Sequence, residues 1–154
     1  MRVVLTTVLE ASVTISGKTV GKIGKGYCLL VGFTDGDNEE TVTKMVDKIL
    51  SLRVFADENR QINLSLQDVN GSILSVSQFT LYADTRKGRR PSFVNALTPH
   101  LAEPLYDLFN QQLEEKYGKL STGVFGADML VSSVNDGPFT VVLDSKELFE
   151  WKFY

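Results

Sequence analysis

The alternation of hydrophobic and polar positions predicts strands joined by tight turns in the first part of the chain. Residues 2–15 are rich in Val, Leu, Ile and Thr, which favours a strand, and the pair Glu10-Ala11 is a point where it could bend. Residues 19–23 follow the turn SGK as the return strand of a hairpin. Residues 27–33 form a nearly continuous apolar run, which is typical of a central strand.

Apolar residues recur at helical spacing after this strand. The stripe consists of Val42, Met45, Val46, Ile49 and Leu50. Asp37 followed by Glu40 resembles a capping box, so the helix should begin there.

A second helix is predicted over roughly 98–117. Thr98 is suited to the N-cap and Pro99 to the first helical position. Pro104 interrupts the pattern, so either the regular helix starts near it or one backbone hydrogen bond is lost there. The predicted apolar face consists of Leu101, Leu105, Leu108, Phe109 and Leu113.

The remaining apolar segments predict further strands. Residues 53–65 resemble a two-stranded hairpin and residues 72–82 a core strand, while 129–134 and 139–144 flank a turn at 135–138. Many strands with two main helices indicate a single α+β domain over residues 1–154. Its antiparallel or mixed sheet is expected to close toward a barrel.

Composition excludes several classes of protein. Of the 154 residues, 43% are hydrophobic and 23% charged, which is ordinary for a globular domain, and no apolar run is long enough to span a membrane. The net charge of -3 means that any affinity for a polyanion must come from a local patch. Cys28 and His100 are the only residues of their kinds, which argues against a disulfide, a zinc site or a Ser-His-Asp triad. A soluble, cytoplasmic protein without a cofactor is expected.

The predicted strand at 72–82 becomes polar toward its end. One face would carry Leu74, Val76, Gln78, Thr80 and Tyr82. Gln78 and Thr80 would be costly to bury without partners, so they either pair internally at the sheet edge or face a ligand.

A cluster of cations follows this segment. It consists of Arg86, Lys87, Arg89 and Arg90, placed around Gly88. The cluster is either a solvated loop or a contact for the phosphates of a nucleic acid. Near the C-terminus, Asn-Asp-Gly-Pro at 135–138 is by itself only a turn signal.

Two of these segments together resemble a known family. SQFTL at 77–81 and NDGPFT at 135–140 are similar to the two signature motifs of the D-aminoacyl-tRNA deacylases, and TGVFGADMLVS at 122–132 is among the further segments in family-like order. The resemblance implies a cytoplasmic homodimer that hydrolyses the ester between a D-amino acid and the 3′ end of tRNA.

The resemblance also implies roles for particular residues. The Gly137-Pro138 bond would be cis, and this pair would enter the partner subunit's active site as a main-chain wall against L-amino acids. Such a wall cannot reject glycine, so cleavage of glycyl-tRNA is expected. The pocket around the ester would be lined by Ser77, Gln78, Phe79 and Thr80. The terminal adenosine would be held by Phe125, Met129 and Ala102.

The chain departs from the family at Thr6-Thr7, where relatives usually have Gln-Arg and where the arginine helps to hold the Gly-Pro loop. Two mechanisms are consistent with the sequence. In the favoured one, water attacks with help from the ribose 2′-OH and from the N–H of Thr80; in the other, the Thr80 hydroxyl is a covalent nucleophile. The rival functions are a non-catalytic RNA-binding module and a small-molecule esterase or peptidase.

Overall fold

The computed structural model describes residues 1–150; residues 151–154, the end of the aromatic tail KELFEWKFY, lie outside the described residues. The strands are β1 (Arg2–Ile15), β2 (Lys18–Ile23), β3 (Gly26–Gly32), β4 (Arg53–Ala56), β5 (Ile62–Ser65), β6 (Ser72–Ser77), β7 (Leu120–Thr122) and β8 (Leu130–Asp144). The helices are α1 (Glu39–Ser51), α2 (Pro99–Lys116) and α3 (Ser145–Phe149), with a 3-10 turn at Phe79–Tyr82. Between residues 1 and 150, no helix combines the length and apolarity needed to cross a bilayer.

Six strands form one mixed sheet, and β4 and β5 form a separate hairpin. The main order is β2-β1-β3-β6-β7, and β8 pairs with the other side of β1. β6 runs parallel to both β3 and β7, whereas the pairs made by β1 are antiparallel. The hydroxyl of Ser121 in β7 donates to the carbonyl of Lys22 in β2 at 3.3 Å, so the two ends of the sheet meet. The predicted α+β fold with a nearly closed sheet is confirmed.

β1 changes partner along its length. Residues Arg2 to Val8 pair with β3, and Ala11 to Ile15 pair with β2, while β8 follows the opposite edge of both halves. The change of partner falls at Glu10-Ala11, where the sequence suggested a bend.

Alternate strand residues enter two separate cores. One core lies under α1 and α2 and includes Val3, Leu5, Tyr27, Leu29, Ile73, Met45, Ile49, Phe109 and Leu113. The other lies on the opposite face of the sheet and consists of Val8, Ala11, Val13, Ile23, Cys28, Leu74 and Val76. Cys28 is therefore a small core residue, as predicted, and burial raises the pKa of its thiol.

The predicted capping box of α1 is wrong by one residue. Asn38 is the N-cap: its side chain accepts from the N–H of Thr41 at 3.0 Å, and the Thr41 hydroxyl accepts from the N–H of Asn38 at 3.3 Å. Asp37 is engaged in the preceding turn, where it accepts from the N–H of Thr34 at 2.8 Å, and Glu40 has no capping role.

α2 begins at Pro99 with Thr98 as N-cap, as predicted. Within the described chain, the Thr98 side chain makes no capping hydrogen bond. Pro104 lies inside the helix, so the alternative of a later start is excluded and one backbone hydrogen bond is lost. Leu101 was expected on the buried face but is 51% exposed. The buried residues of α2 are Ala102, Tyr106, Phe109 and Leu113.

Candidate active site

The segment 72–82 is a strand only as far as Ser77. The N–H of Gln78 makes the last bond to β3, donating to the carbonyl of Val31 at 2.7 Å, and β3 itself ends at Gly32. A Cβ at Gly32 would lie 2.9 Å from the Gln78 carbonyl oxygen, so glycine allows the chain to turn across the end of β3. The predicted strand face that included Thr80 and Tyr82 is therefore wrong, because the partner strand ends first.

The 3-10 turn that replaces the strand leaves two N–H groups free at its start. Its bonds run from Leu81 N–H to Gln78 O at 3.2 Å and from Ala83 N–H to Thr80 O at 3.0 Å. Within residues 1–150, the N–H groups of Phe79 and Thr80 have no acceptor. The hydroxyl of Thr80 accepts from the Gln78 amide, and no acidic or basic side chain of the described chain bonds to it.

A largely apolar cavity of about 600 Å³ opens beside this turn. Its lining includes the predicted residues Ser77, Gln78, Phe79, Ala102, Phe125 and Met129. These come from the end of β6, the first turn of α2 and the segment before β8. The cavity thus brings together six predicted residues from three segments that are far apart in sequence.

Two further residues of the cavity were missed by the sequence analysis. The ring of Phe93 meets that of Phe79 edge to face, with centroids 5.2 Å apart, and is 44% exposed. Asp128 is the one ionisable side chain that lines the cavity among the described residues. The sequence signal that could have identified Phe93 was an aromatic residue three positions after the last cation of the basic loop.

The buried side chain of Tyr106 supports the wall of the cavity that includes Phe125. The hydroxyl of Tyr106, in α2, donates to the carbonyl of Ser75 at 2.9 Å, and its ring lies 6.0 Å from that of Phe125. Burial raises the pKa of Tyr106, which stays a neutral donor. A Cβ at Gly123 would lie 2.6 Å from the Met129 sulfur, so this glycine makes room for Met129.

Arg2 anchors the other end of the 3-10 turn, and the sequence analysis did not single it out. Its guanidinium donates to Asp144 at 2.9 Å and to the carbonyl of Leu81 at 3.0 Å, and lies 4.5 Å from the centre of the Tyr82 ring. The position of the free N–H groups is therefore tied to the ends of β1 and β8.

The Asn-Asp-Gly-Pro segment is a bulge and not the predicted turn. β8 runs without reversal from Leu130 to Asp144, because both halves pair with the same long strand β1. Thr140 pairs with Thr6 and Asn135 with Val8, so residues 136–139 protrude opposite Thr7.

Hydrogen bonds give the bulge a defined shape. The side chain of Asn135 accepts from the N–H of Phe139 at 2.9 Å and donates to the Thr140 hydroxyl at 3.1 Å. Gly137 has a φ of 138°, and a Cβ there would lie 2.9 Å from the nitrogen of Phe139. The Gly137-Pro138 bond is cis. Both residues are exposed, and neither lines the cavity of its own chain.

The strand that carries the bulge is an exposed apolar edge. β8 pairs only with β1 in the described part of the chain, and most of its 15 residues are exposed. They include Leu130 at 73%, Val142 at 64% and Val134 at 45% exposure. Long apolar edge strands are normally covered by another surface.

The cationic loop is solvent-exposed, but its members are not equivalent. Arg86 makes a bidentate pair with Asp84, at 2.9 and 2.8 Å, and this hydrogen bonding lowers the pKa of Asp84 to about 2. Lys87, Arg89 and Arg90 form no ion pair within the described residues.

Neither a triad nor a metal centre is found at the cavity. His100 is exposed and does not line it. Over residues 1–150, no group of three or more His, Cys, Asp or Glu side chains is placed to hold a metal ion.

Comparison with known proteins relates this chain to tRNA deacylases. The family described as D-Tyr-tRNA(Tyr) deacylase matches residues 4–144. A D-aminoacyl-tRNA deacylase of Lactobacillus acidophilus is 57% identical over 144 residues, which cover 94% of this chain and 99% of that protein. The D-aminoacyl-tRNA deacylase of Flavobacterium psychrophilum is 53% identical over 147 residues, covering 95% and 98%.

Solved structures share the fold of this chain. One described as c-Myc DNA Unwinding Element Binding Protein superposes with a TM-score of 0.88 at 41% identity, covering 94% of this chain and 98% of that one. A probable eukaryotic D-amino acid tRNA deacylase superposes with a TM-score of 0.79 at 21% identity, covering 92% and 97%, and this match shows the likeness of fold.

Proposed function

The chain belongs to the D-Tyr-tRNA(Tyr) deacylase family, and we propose that it edits tRNA by hydrolysing D-aminoacyl esters behind a main-chain filter that excludes L-amino acids. The reaction is hydrolysis of an ester bond, and its substrate is tRNA that carries a D-amino acid. The observation that carries the proposed site is the cavity of about 600 Å³ that is lined by Ser77, Gln78 and Phe79. Thr80 does not line the cavity itself but directly follows Phe79, and the N–H groups of both residues have no acceptor within residues 1–150.

The site suits a reaction that needs little acid–base assistance. An aminoacyl ester is already activated, and in this mechanism the N–H of Thr80 donates to the oxyanion that forms when water adds to the carbonyl carbon. One such donor contributes about 2.7–4 kcal/mol. The ester bond to the ribose then breaks, and the ribose oxygen takes up the proton that the attacking water has lost. The free amino acid leaves.

The arrangement favours water over Thr80 as the nucleophile. A threonine hydroxyl needs a base to activate it, and the partner of this hydroxyl is the amide of Gln78. The ribose 2′-OH assists the water, while Gln78 and Ser77 orient the ester.

The aromatic wall of the cavity suits the terminal adenosine. Phe125, Met129 and Ala102 hold the base in this proposal, and Phe79 with Phe93 forms the opposite rim. Stacking of a base on an aromatic side chain contributes about 1–3 kcal/mol. The reacting ester then lies at Ser77 and Gln78.

The chiral filter requires a second copy of the chain. Gly137 and Pro138 are absent from the lining of their own cavity and protrude from an exposed apolar strand. In the proposed homodimer, β8 is covered by the partner and each bulge enters the partner's cavity. Main chain held there clashes with an L side chain, whereas a hydrophobic pocket discriminates by only about 1–3 kcal/mol per methylene.

Glycyl-tRNA tests the exclusion idea directly. Glycine has no side chain to meet the wall, so glycyl-tRNA should be cleaved at enzyme concentrations that clear D-tyrosyl-tRNA. Survival of glycyl-tRNA under those conditions would refute exclusion by the main chain. Since charged tRNA is the substrate, the proposal places the protein in the cytoplasm.

The deciding experiment compares D-tyrosyl-tRNA with L-tyrosyl-tRNA, with the oligomeric state measured by light scattering. Loss of the D ester alone from a dimeric protein is expected. Loss of neither ester would favour the RNA-binding module, and a monomer with full selectivity would refute the cross-subunit filter. Thr80→Val, which keeps the N–H and removes the hydroxyl, should retain most activity; a covalent nucleophile would make it inactive.

A further inference from the structure

Thr7 occupies an unusual place in β1. Its side chain is 4% exposed, in a strand whose neighbouring buried side chains Leu5 and Val8 are apolar. The Thr7 hydroxyl donates to the carbonyl of Asp136 at 2.9 Å. It lies at the point where pairing between β1 and β8 is interrupted, opposite residues 136–139. The hydroxyl therefore bridges the two strands where their main-chain ladder does not.

This bond differs from the others that shape the bulge. The bonds made by the side chain of Asn135 join residues of β8 to one another, so they would move with the bulge. The bond from Thr7 joins the bulge to the barrel, and it is the one side-chain hydrogen bond between β1 and residues 136–139 in the described chain. Its acceptor directly precedes Gly137.

We propose that Thr7 is the positioning residue that sets the selectivity for D over L amino acids, by holding the carbonyl of Asp136 and with it Gly137 and Pro138. This inference rests on the proposed main-chain filter. It also accounts for the departure at Thr6-Thr7, because a short buried hydroxyl reaches the loop directly where relatives usually have an arginine. Without the hydroxyl, the bulge keeps its internal shape but can recede from the substrate.

Three variants separate this role from a general effect on folding. Thr7→Val removes the hydroxyl at nearly constant volume, and Thr7→Ser keeps it. Thr6→Val is the matched control, because Thr6 is half-buried and makes no side-chain hydrogen bond within residues 1–150. Each is assayed for kcat/KM on D-tyrosyl-tRNA and L-tyrosyl-tRNA, and for amide hydrogen exchange at Gly137 and Phe139.

We expect the D-to-L ratio of kcat/KM to fall about tenfold in Thr7→Val, which corresponds to about 1.4 kcal/mol. Thr7→Ser and Thr6→Val should keep the wild-type ratio. Exchange at Gly137 and Phe139 should be the same in all three variants, because the N–H of Phe139 donates to Asn135 and the bulge keeps its internal shape. If Thr7→Val does not fold, Thr7→Cys, whose thiol is a weak donor, gives the same comparison.

Two results would overturn the role of Thr7 while leaving the filter intact. One is wild-type kcat/KM on both esters in folded Thr7→Val; the other is an equal loss on both esters, which leaves the ratio unchanged and indicates destabilisation alone. A wild-type protein that cleaves both esters equally would instead refute the filter itself, and the role of Thr7 with it.

Discussion

Replacing Arg89 and Arg90 together by alanine tests whether the cationic loop contacts the tRNA backbone. Both side chains are exposed and form no ion pair in the described part of the chain, so each is free to meet a phosphate. Arg86, by contrast, is already neutralised by Asp84 at 2.8 Å. The double variant should bind tRNA more weakly and with a flatter dependence on salt.

The size of the effect follows from counterion release. Each phosphate contact contributes about 0.7 to the slope of log K against log salt on single strands and about 0.9 on duplexes. Loss of two contacts should flatten the slope by about 1.4–1.8. When the salt concentration rises from about 50 to 200 mM, affinity for tRNA should fall in both proteins. The factor by which it falls should be about ten times smaller in the variant than in the wild type.

The assay is fluorescence anisotropy with uncharged tRNA at several salt concentrations. The control variant Lys18→Ala with Arg60→Asn removes the same charge from exposed positions elsewhere, and asparagine tolerates the positive φ at position 60. Arg86→Gln should change the slope less than either Arg89→Ala or Arg90→Ala alone. An unchanged slope in the double variant, or an equal change in the control, would refute the assignment of this loop.

Three further predictions concern packing, charge and the bulge. Gly26→Ala should lower the free energy of unfolding by about 3 kcal/mol or more in a denaturant titration. The reason is that the added Cβ would lie 1.8 Å from a carbonyl oxygen of β6. The control is Gly24→Ala, which should match the wild type because nothing lies within 4 Å of the added Cβ. In an NMR titration the Asp84 carboxyl should change with a midpoint near its pKa of about 2. In Arg86→Gln the midpoint should move upward without reaching the ordinary value of 3.8, because the backbone N–H of residue 86 still donates to the carboxylate. The pair's stabilising contribution is thus present above pH about 4 and lost as the pH falls toward 2, and equal midpoints in the two proteins would contradict it. Gly137→Ala should reduce the D-to-L ratio of kcat/KM and also lower the melting temperature, because the residue has a φ of 138° and the added Cβ would lie 2.9 Å from the nitrogen of Phe139; an unaltered ratio would count against the filter.

The local pattern of the sequence was enough to predict most of the regular elements. The apolar run at 27–33 is β3, and the helical stripes at 42–50 and 98–117 are α1 and α2. These assignments succeed because the period of buried side chains is a property of the segment itself. The motifs SQFTL and NDGPFT likewise identified the family without any knowledge of contacts.

Errors arose where a distant segment decided the local structure. The strand at 72–77 ends because β3 ends beside it, and residues 136–139 bulge because β1 continues past them on both sides. Asp37 does not cap α1 because its carboxylate accepts from the N-terminal ammonium of Met1 at 2.8 Å and from the N–H of Thr34 at 2.8 Å. In each case a contact with a distant part of the chain decided the outcome.

The candidate site also combines features that could be predicted from the sequence with features that depend on the fold. The motifs in the sequence were enough to predict which residues would carry the chemistry, from Ser77 and Gln78 to the pair Gly137-Pro138. The folded chain was needed to show that the cavity and the Gly-Pro bulge lie apart in one chain, and that a buried hydroxyl at Thr7 reaches the Asp136 carbonyl. This hydrogen bond joins residues 129 positions apart, and the distance between them is set by the pairing of β1 with β8 and not by either segment alone.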